Sequence, residues 1–332
     1  MTSLVWIAAG GTIEAVARDP LDLVGYGASG RRTPPEELLA GLPGIERVAD
    51  VRVVPWADPG GGQLPPSHAW TFADLRALAV LVRDAARGAD GVVVTCGTNG
   101  LEETAWFLDL VLDPGVPVVV TGAMRPDSAP GRDGPGNLLG AFRVAADRAV
   151  HGLGVLVVLD DLVLPARDAA KTATYRRGAF QAPEHGPLGF ADADGRVVLR
   201  RLPPPRGVGF ALDAVPAEPP RVDVVVSYLG ADSALVDAAV AAGARGIVHA
   251  GFGAGHPAPA ERAALARAAA AGVVVCQATR VATGRVVPYR ALEAAGFVAS
   301  GDLSPWKARI LLSLALSRGE RGAALQAVFD AV

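Results

Sequence analysis

The sequence predicts an α/β protein of two domains: a larger N-terminal doubly wound sheet and a smaller C-terminal parallel α/β domain. Three observations carry that prediction. Short β-branched runs alternate with longer amphipathic runs along the chain. The short runs are continuously apolar rather than alternating, as in a parallel sheet covered on both faces. Residues 201–221 (RLPPPRGVGFALDAVPAEPPR) hold six prolines with little periodicity and read as a boundary. At 332 residues the chain is long enough for two domains of ordinary size. They are expected at 1–202 and 222–332, joined by a linker at 203–221.

The elements follow in order. Residues 4–9 form the first strand. Residues 71–87 form a helix, with Thr71 as N-cap and Leu75, Leu78, Leu81 and Val82 on one face. Then come a strand at 91–95, a helix at 101–112, a strand at 116–121, a helix at 137–150 and a strand at 155–159. Beyond the proline-rich stretch a shorter series begins. It runs through a strand at 222–228, a helix at 233–242, a strand at 246–250, a helix at 259–271 and a strand at 273–277. The end is helical, with Ser304 as N-cap and Pro305 at the first helical position before 306–317.

Composition narrows the function classes. Apolar residues make up 51% and charged ones 20%, enough for a sizeable core. The net charge of −3 lacks the basic excess of a nucleic-acid binder. Cys96 and Cys276 each lie in an apolar run, so neither a disulfide framework nor a zinc site is expected. The five histidines show no metal-ligand spacing. The N-terminus carries no basic, apolar, small-residue leader pattern, and no stretch of about 18 apolar residues occurs. A cytoplasmic protein, free of membrane, is the expectation. The surplus of 40 glycines and 26 prolines falls largely in loops, among them Gly10-Gly11, Gly60-Gly61-Gly62 and the turns after the strands.

In open α/β sheets, sites lie beyond the carboxyl ends of the strands. Four such loops carry chemistry. Ala9-Gly10-Gly11-Thr12-Ile13 sets a hydroxyl after a sharp turn, which alone fits a nucleophile, a phosphate-binding turn or a helix cap. Thr95-Cys96-Gly97-Thr98-Asn99-Gly100 opens a helix whose N-terminus suits a carboxylate or an oxyanion. Asn99 also reads as a cap, and Glu102 and Glu103 as charges complementing the helix dipole. Thr121-Gly122-Ala123-Met124-Arg125 runs through a long loop to Asp133-Gly134-Pro135, where Arg125 and Asp133 are expected to pair or to brace the site. Ala170-Lys171-Thr172 places a lysine among small residues, where lost solvation lowers its pKa and suits a base.

Together the four loops resemble the bacterial L-asparaginase/glutaminase family. Gly10-Gly11-Thr12-Ile13 is similar to its opening motif. Thr95-Cys96-Gly97-Thr98-Asn99-Gly100 followed by Glu102-Glu103-Thr104-Ala105 is similar to its second signature. Thr121 to Arg125 with Asp133-Gly134-Pro135 and Asn137-Leu138, then Lys171-Thr172 and Gly186-Pro187-Leu188-Gly189, follow in the family's order. Gly296-Phe297-Val298-Ala299-Ser300 and Lys307-Ala308-Arg309 extend the likeness to the C-terminal domain. The resemblance implies an asparaginase-like fold and an amidohydrolase working through an acyl-enzyme. It implies Thr12 as nucleophile, with Tyr26 of the glycine-rich lid Gly25-Tyr26-Gly27 as its hydrogen-bonding activator. It implies Thr98 and Lys171 as a second threonine and its base. Ser67, Gly97, Asn99 and Ala123 would then line the substrate site, with Ser67 on the α-carboxylate and the Thr98 amide in the oxyanion hole.

Three positions depart from the family pattern. Asn99 stands where the family has an aspartate for the substrate ammonium. Ala254-Gly255-His256 stands for its Asn-Gly-Asn turn, and an acidic residue is replaced around Pro288-Tyr289. A buried ammonium without a carboxylate costs several kcal/mol, on the order of the price of breaking an ion pair. The expected substrate is therefore L-asparagine or an asparagine-like amide lacking a free α-ammonium, with Glu14 as the replacement carboxylate in the first case. A non-catalytic relative binding an amide metabolite is the alternative. The resemblance also implies a homodimer or homotetramer in which His256 and Tyr289 complete a neighbour's site. No metal and no organic cofactor are implied, and Gly10-Gly11 lacks the spacing of a dinucleotide fold.

Overall fold

The computed structural model describes residues 1–56, 65–113 and 115–332; the Gly60-Gly61-Gly62 run lies outside the described residues. The chain divides into two compact units, Met1–Pro205 and Arg206–Val332.

The first unit holds strands β1 (Ser3–Ala8), β2 (Ala15–Val16), β3 (Arg31–Arg32), β4 (Asp50–Pro55), β5 (Gly91–Thr95), β6 (Val118–Thr121), β7 (Val155–Leu159), β8 (Leu162–Pro165), β9 (Ala170–Lys171), β10 (Phe180–Gln181), β11 (Gly189–Ala191) and β12 (Val197–Leu199). Its helices are α1 (Pro35–Ala40), α2 (Phe72–Ala86), α3 (Leu101–Val111) and α4 (Gly134–Ala146). Eight strands make one sheet in the order β12-β11-β8-β7-β6-β5-β1-β4. The run β4-β1-β5-β6-β7 is parallel, as the apolar runs of β1, β5, β6 and β7 predict; β4, with no fully buried residue, is not among the expected strands. β8, β11 and β12 continue it antiparallel, so the sheet is mixed. These three strands are not among those the sequence pattern predicts. β7 returns as β8 through Asp160-Asp161, both with positive φ (51° and 63°), the geometry of a two-residue hairpin turn. Asp-Asp is a weak signal for that turn, since glycine or asparagine ordinarily marks it.

Local chemistry explains the element ends. Thr71 caps α2 in a capping box: its Oγ1 accepts from the Asp74 amide at 3.3 Å, and the Asp74 carboxylate accepts from the Thr71 amide at 2.7 Å. α4 begins at Gly134, three residues earlier than the apolar period indicates. The core packs Trp6 of β1 edge-on to Phe142 of α4 at 6.0 Å, and the Trp6 indole donates to Thr95 Oγ1 at 3.0 Å. Both partners are buried, so the indole N–H is satisfied within the core.

The second unit holds β13 (Val222–Val226), β14 (Gly246–Gly251), β15 (Val274–Thr279) and β16 (Val298–Ala299), all parallel and adjacent in that order. Around them lie α5 (Ala234–Ala241), α6 (Pro259–Ala270), α7 (Arg290–Ala294), α8 (Pro305–Ser317) and α9 (Gly322–Asp330). Ser304 caps α8 by accepting from the Lys307 amide, as the Ser-Pro pair predicts. A separate core of Val225, Val236, Ile247, Leu265, Val275 and Leu292 fills this unit.

Candidate active site

The strand order sets the position of the site. From β1 the chain moves to β4 on one side, then crosses to β5 on the other and continues to β6 and β7. The crevice at such a switch point opens between the loops after β1 and β5. The ladder runs into those loops: the Ala9 amide donates to Thr95 O at 2.9 Å, and the Cys96 amide to Thr121 O at 3.1 Å. Gly11 then turns at φ 100°, a conformation glycine alone adopts freely. A Cβ on Gly11 would meet the Gly97 nitrogen at 2.6 Å, so the two loops touch backbone to backbone. That contact brings Thr12 and Thr98 to one place.

Each threonine has its own partner. Thr12 is buried, and its Oγ1 lies 2.7 Å from the Tyr26 hydroxyl. Thr98 is buried too, and its Oγ1 accepts from Lys171 Nζ at 3.0 Å. Lys171 Nζ also donates to Asn99 Oδ1 at 2.9 Å. Lys171 stands on β9, held against β10 by pairing with Phe180. Its backbone amide donates to Glu102 Oε2 at 2.6 Å. Burial lowers the Lys171 pKa, and the Glu102 charge opposes that in part. Glu102 is thus more than a helix-dipole complement; its offset of one helical turn from Thr98 is the signal that could have marked it.

Ser67 is nine-tenths buried behind Gly97. Its hydroxyl donates to Gly97 O at 2.8 Å and accepts from the Gly100 amide at 3.1 Å. A Cβ on Gly97 would collide with that oxygen at 2.5 Å. Ser67 therefore clamps the Thr98 loop, with its one proton turned to the backbone. Ala123 is fully buried beside Gly134. The Asp133 carboxylate accepts from the Met124 and Arg125 amides, each at 2.9 Å. Asn137 ties that loop to its surroundings by donating to Gly122 O at 2.9 Å. Asp133 therefore braces the backbone, while the Arg125 guanidinium turns to the Gly131 carbonyl at 3.3 Å.

Other groups are settled by their surroundings. Burial pushes the Cys96 thiol up to about 12, which leaves no thiolate beside the two threonines at neutral pH. Glu14 is buried with one oxygen 3.6 Å from Arg32 Nη1, so it faces a cation of the chain itself. His256 and Tyr289 belong to the second unit. His256 is exposed in a bridge with Phe252, and Tyr289 is exposed at the N-cap of α7. The structure thus gathers Thr12, Tyr26, Ser67, Gly97, Thr98, Asn99 and Lys171 around two touching loops, with Ala123 on the next loop along.

Comparison with known proteins gives the same frame over both units. Residues 3–204 match the family described as "Asparaginase, N-terminal", and residues 221–329 match "Glutaminase/Asparaginase C-terminal domain". The chain is 41% identical over 245 residues to "L-asparaginase 2" of Escherichia coli, covering 73% of this chain and 70% of that protein. It is 36% identical over 316 residues to "L-asparaginase 2" of Bacillus subtilis, covering 92% and 83%. It is 33% identical over 339 residues to the "Glutaminase-asparaginase" of Pseudomonas aeruginosa, covering 99% and 90%. With both domain matches in order and a likeness running nearly end to end, the chain belongs to the asparaginase family.

Proposed function

We propose that this protein is an asparaginase-like amidohydrolase that cleaves a carboxamide by way of a threonyl ester on Thr12. The observation that carries the reading is the pairing of two buried threonine hydroxyls with two proton-handling partners: Thr12 with Tyr26 at 2.7 Å and Thr98 with Lys171 at 3.0 Å. A threonine hydroxyl is a weak nucleophile until a neighbour accepts its proton. Tyr26 polarises Thr12, and Thr12 Oγ1 bonds to the amide carbon. The C–N bond breaks, and ammonia leaves carrying the proton that Thr12 gave up. Lys171 with Thr98 then draws a proton from water as it adds to the ester, releasing the acid and restoring the hydroxyl. Backbone amides beside Thr98, at the start of α3, suit the oxyanion; a donor of this kind is worth about 10²–10³ in rate.

The substrate is a small amide without a free α-ammonium, such as an N-acylated asparagine. Asn99 is neutral, its oxygen is engaged by Lys171, and Glu14 is turned to Arg32. Asn99 thus offers no carboxylate to a desolvated ammonium, and the Arg32 cation beside Glu14 offsets the charge that Glu14 could lend one. Initial rates of ammonia release from L-asparagine, L-glutamine and N-acetyl-L-asparagine test this. The acylated amide is expected to be turned over fastest. Free asparagine turned over much faster would sink the substrate reading, and binding without any ammonia would favour a non-catalytic relative.

A further inference from the structure

Thr12 and Glu14 share a single turn of 3₁₀ helix, Thr12–Glu14. Glu14 is only 5% exposed. Its Oε2 lies 3.6 Å from Arg32 Nη1, while its Oε1 is buried with no hydrogen-bond partner among the described residues. Burial raises the Glu14 pKa, against the opposing pull of Arg32 and of the Gly10 amide. A buried carboxylate oxygen left unsatisfied is costly, so the pair is a poor device for stability alone.

The pair also has a distinctive place in the chain. β2 and β3 pair Ala15 with Arg32 and Val16 with Arg31, closing the root of residues 17–30. Tyr26 stands in that segment, in the 3₁₀ turn Tyr26–Ser29. Three further ties hold the root. The Thr33 amide donates to Glu14 O at 2.7 Å, the Asp127 amide donates to Ala15 O at 2.8 Å, and Ser29 Oγ donates to Val16 O. The Arg32 guanidinium also lies against the nucleophile loop itself: a Cβ on Gly10 would meet Nη1 at 2.3 Å. One ion pair therefore joins the turn that carries Thr12, the glycine turn before it, and the ribbon that carries Tyr26.

We propose that the Glu14–Arg32 pair is a positioning pair, seating the root of residues 17–30 so that the Tyr26 hydroxyl meets Thr12 Oγ1. Neither residue is a catalytic group; both act through Tyr26. The proposal rests on the reading of Thr12 and Tyr26 as catalytic groups, and it has a readout that needs no turnover.

The test compares full-length wild type, Thr12→Ala, Glu14→Gln, Arg32→Met, Tyr26→Phe and the Glu14→Gln/Tyr26→Phe double variant. Glu14→Gln keeps shape and loses the attraction to Arg32. Rates of ammonia release are measured on the best amide of the panel, and hydrogen exchange is followed at residues 17–30 and at β5. Glu14→Gln and Arg32→Met are each expected to lower kcat about tenfold, with KM changed less than about threefold. On a Tyr26→Phe background, Glu14→Gln is expected to add less than about twofold, because the pair acts through the missing hydroxyl. Exchange at 17–30 should quicken while β5 stays protected, which separates a loosened root from a failed fold. Wild-type kcat and exchange in Glu14→Gln would overturn the proposal. So would the same tenfold loss on top of Tyr26→Phe, which would mean that the pair acts independently of Tyr26. Full activity in Thr12→Ala would overturn the catalytic reading instead, and the exchange comparison would still decide whether the pair seats the segment.

Discussion

Lys171 is held between a neutral amide and a carboxylate. Its Nζ donates to Asn99 Oδ1, while Glu102 accepts from its backbone amide. Burial lowers its pKa, so the neutral amine is available at a lower pH than for an ordinary lysine. Asn99→Asp would set a negative charge about 3 Å from that nitrogen and favour its protonated form. The ascending limb of kcat/KM against pH should therefore move to higher pH in Asn99→Asp; an unmoved limb would show that Lys171 does not set it. A second titrating group sits in the other unit. His249 Nε2 lies 3.4 Å from Glu261 Oε2 and 3.3 Å from Ser227 Oγ, and Ser227 Oγ donates to Glu261. Burial lowers the His249 pKa, the Glu261 charge opposes it, and Nδ1 has no hydrogen-bond partner among the described residues. The folded pKa is thus below the unfolded value of about 6.5, and folding favours the neutral ring. That contribution is complete above about pH 6.5 and is lost as pH falls through the folded pKa. Thermal melts should show stability declining on acidification below about pH 6.5, with a shallower decline in His249→Gln. An equal slope in both would assign the acid sensitivity elsewhere.

At the scale of elements, what was legible followed from side-chain period and cap chemistry. Leu78 and Val82 are buried on one face of α2, and Thr71 closes its N-terminus. The continuous apolar runs at 91–95, 118–121 and 155–159 became the parallel heart of the first sheet. What was missed depends on turns and on pairing across sequence distance. α1 begins at the second proline of Pro34-Pro35, a short element with one buried leucine, Leu38. The β7–β8 return hides in Asp160-Asp161 because aspartate adopts positive φ less readily than glycine. Asp161→Gly should relieve that conformation at some entropic cost to the unfolded chain, for a net gain of about 0.5 kcal/mol. Urea unfolding would read this as a higher midpoint at constant slope; a lower midpoint would show that the Asp161 side chain stabilises the turn. The site loops were legible as types, since Gly-Gly-Thr and Gly-Thr-Asn each follow a strand. Their partners were not: that Ser67 would clamp Gly97, or that Arg32 would lie against Gly10, depends on folded geometry that no local spacing encodes.

At the scale of the molecule, each compact unit has an apolar core of its own, and Thr12, Tyr26, Thr98 and Lys171 all lie in the first unit. The second unit exposes Tyr228, Leu229, Val281, Val287, Tyr289 and Trp306. The homo-oligomer expected from the sequence, with His256 and Tyr289 completing a neighbour's site, is a proposal that solution mass can test. Sedimentation should give a multiple of the 33.8 kDa chain, and a persistent monomer would leave these side chains without a role. The central claim is that Thr12 is the nucleophile of an amidohydrolase. Its most direct test is the initial rate of ammonia release by Thr12→Ala against wild type, on the amide that wild type turns over fastest, with thermal unfolding as the check on folding. The account predicts a loss of about 10³-fold or more in kcat with an unchanged melt. A folded Thr12→Ala protein with near-wild-type release of ammonia would contradict it.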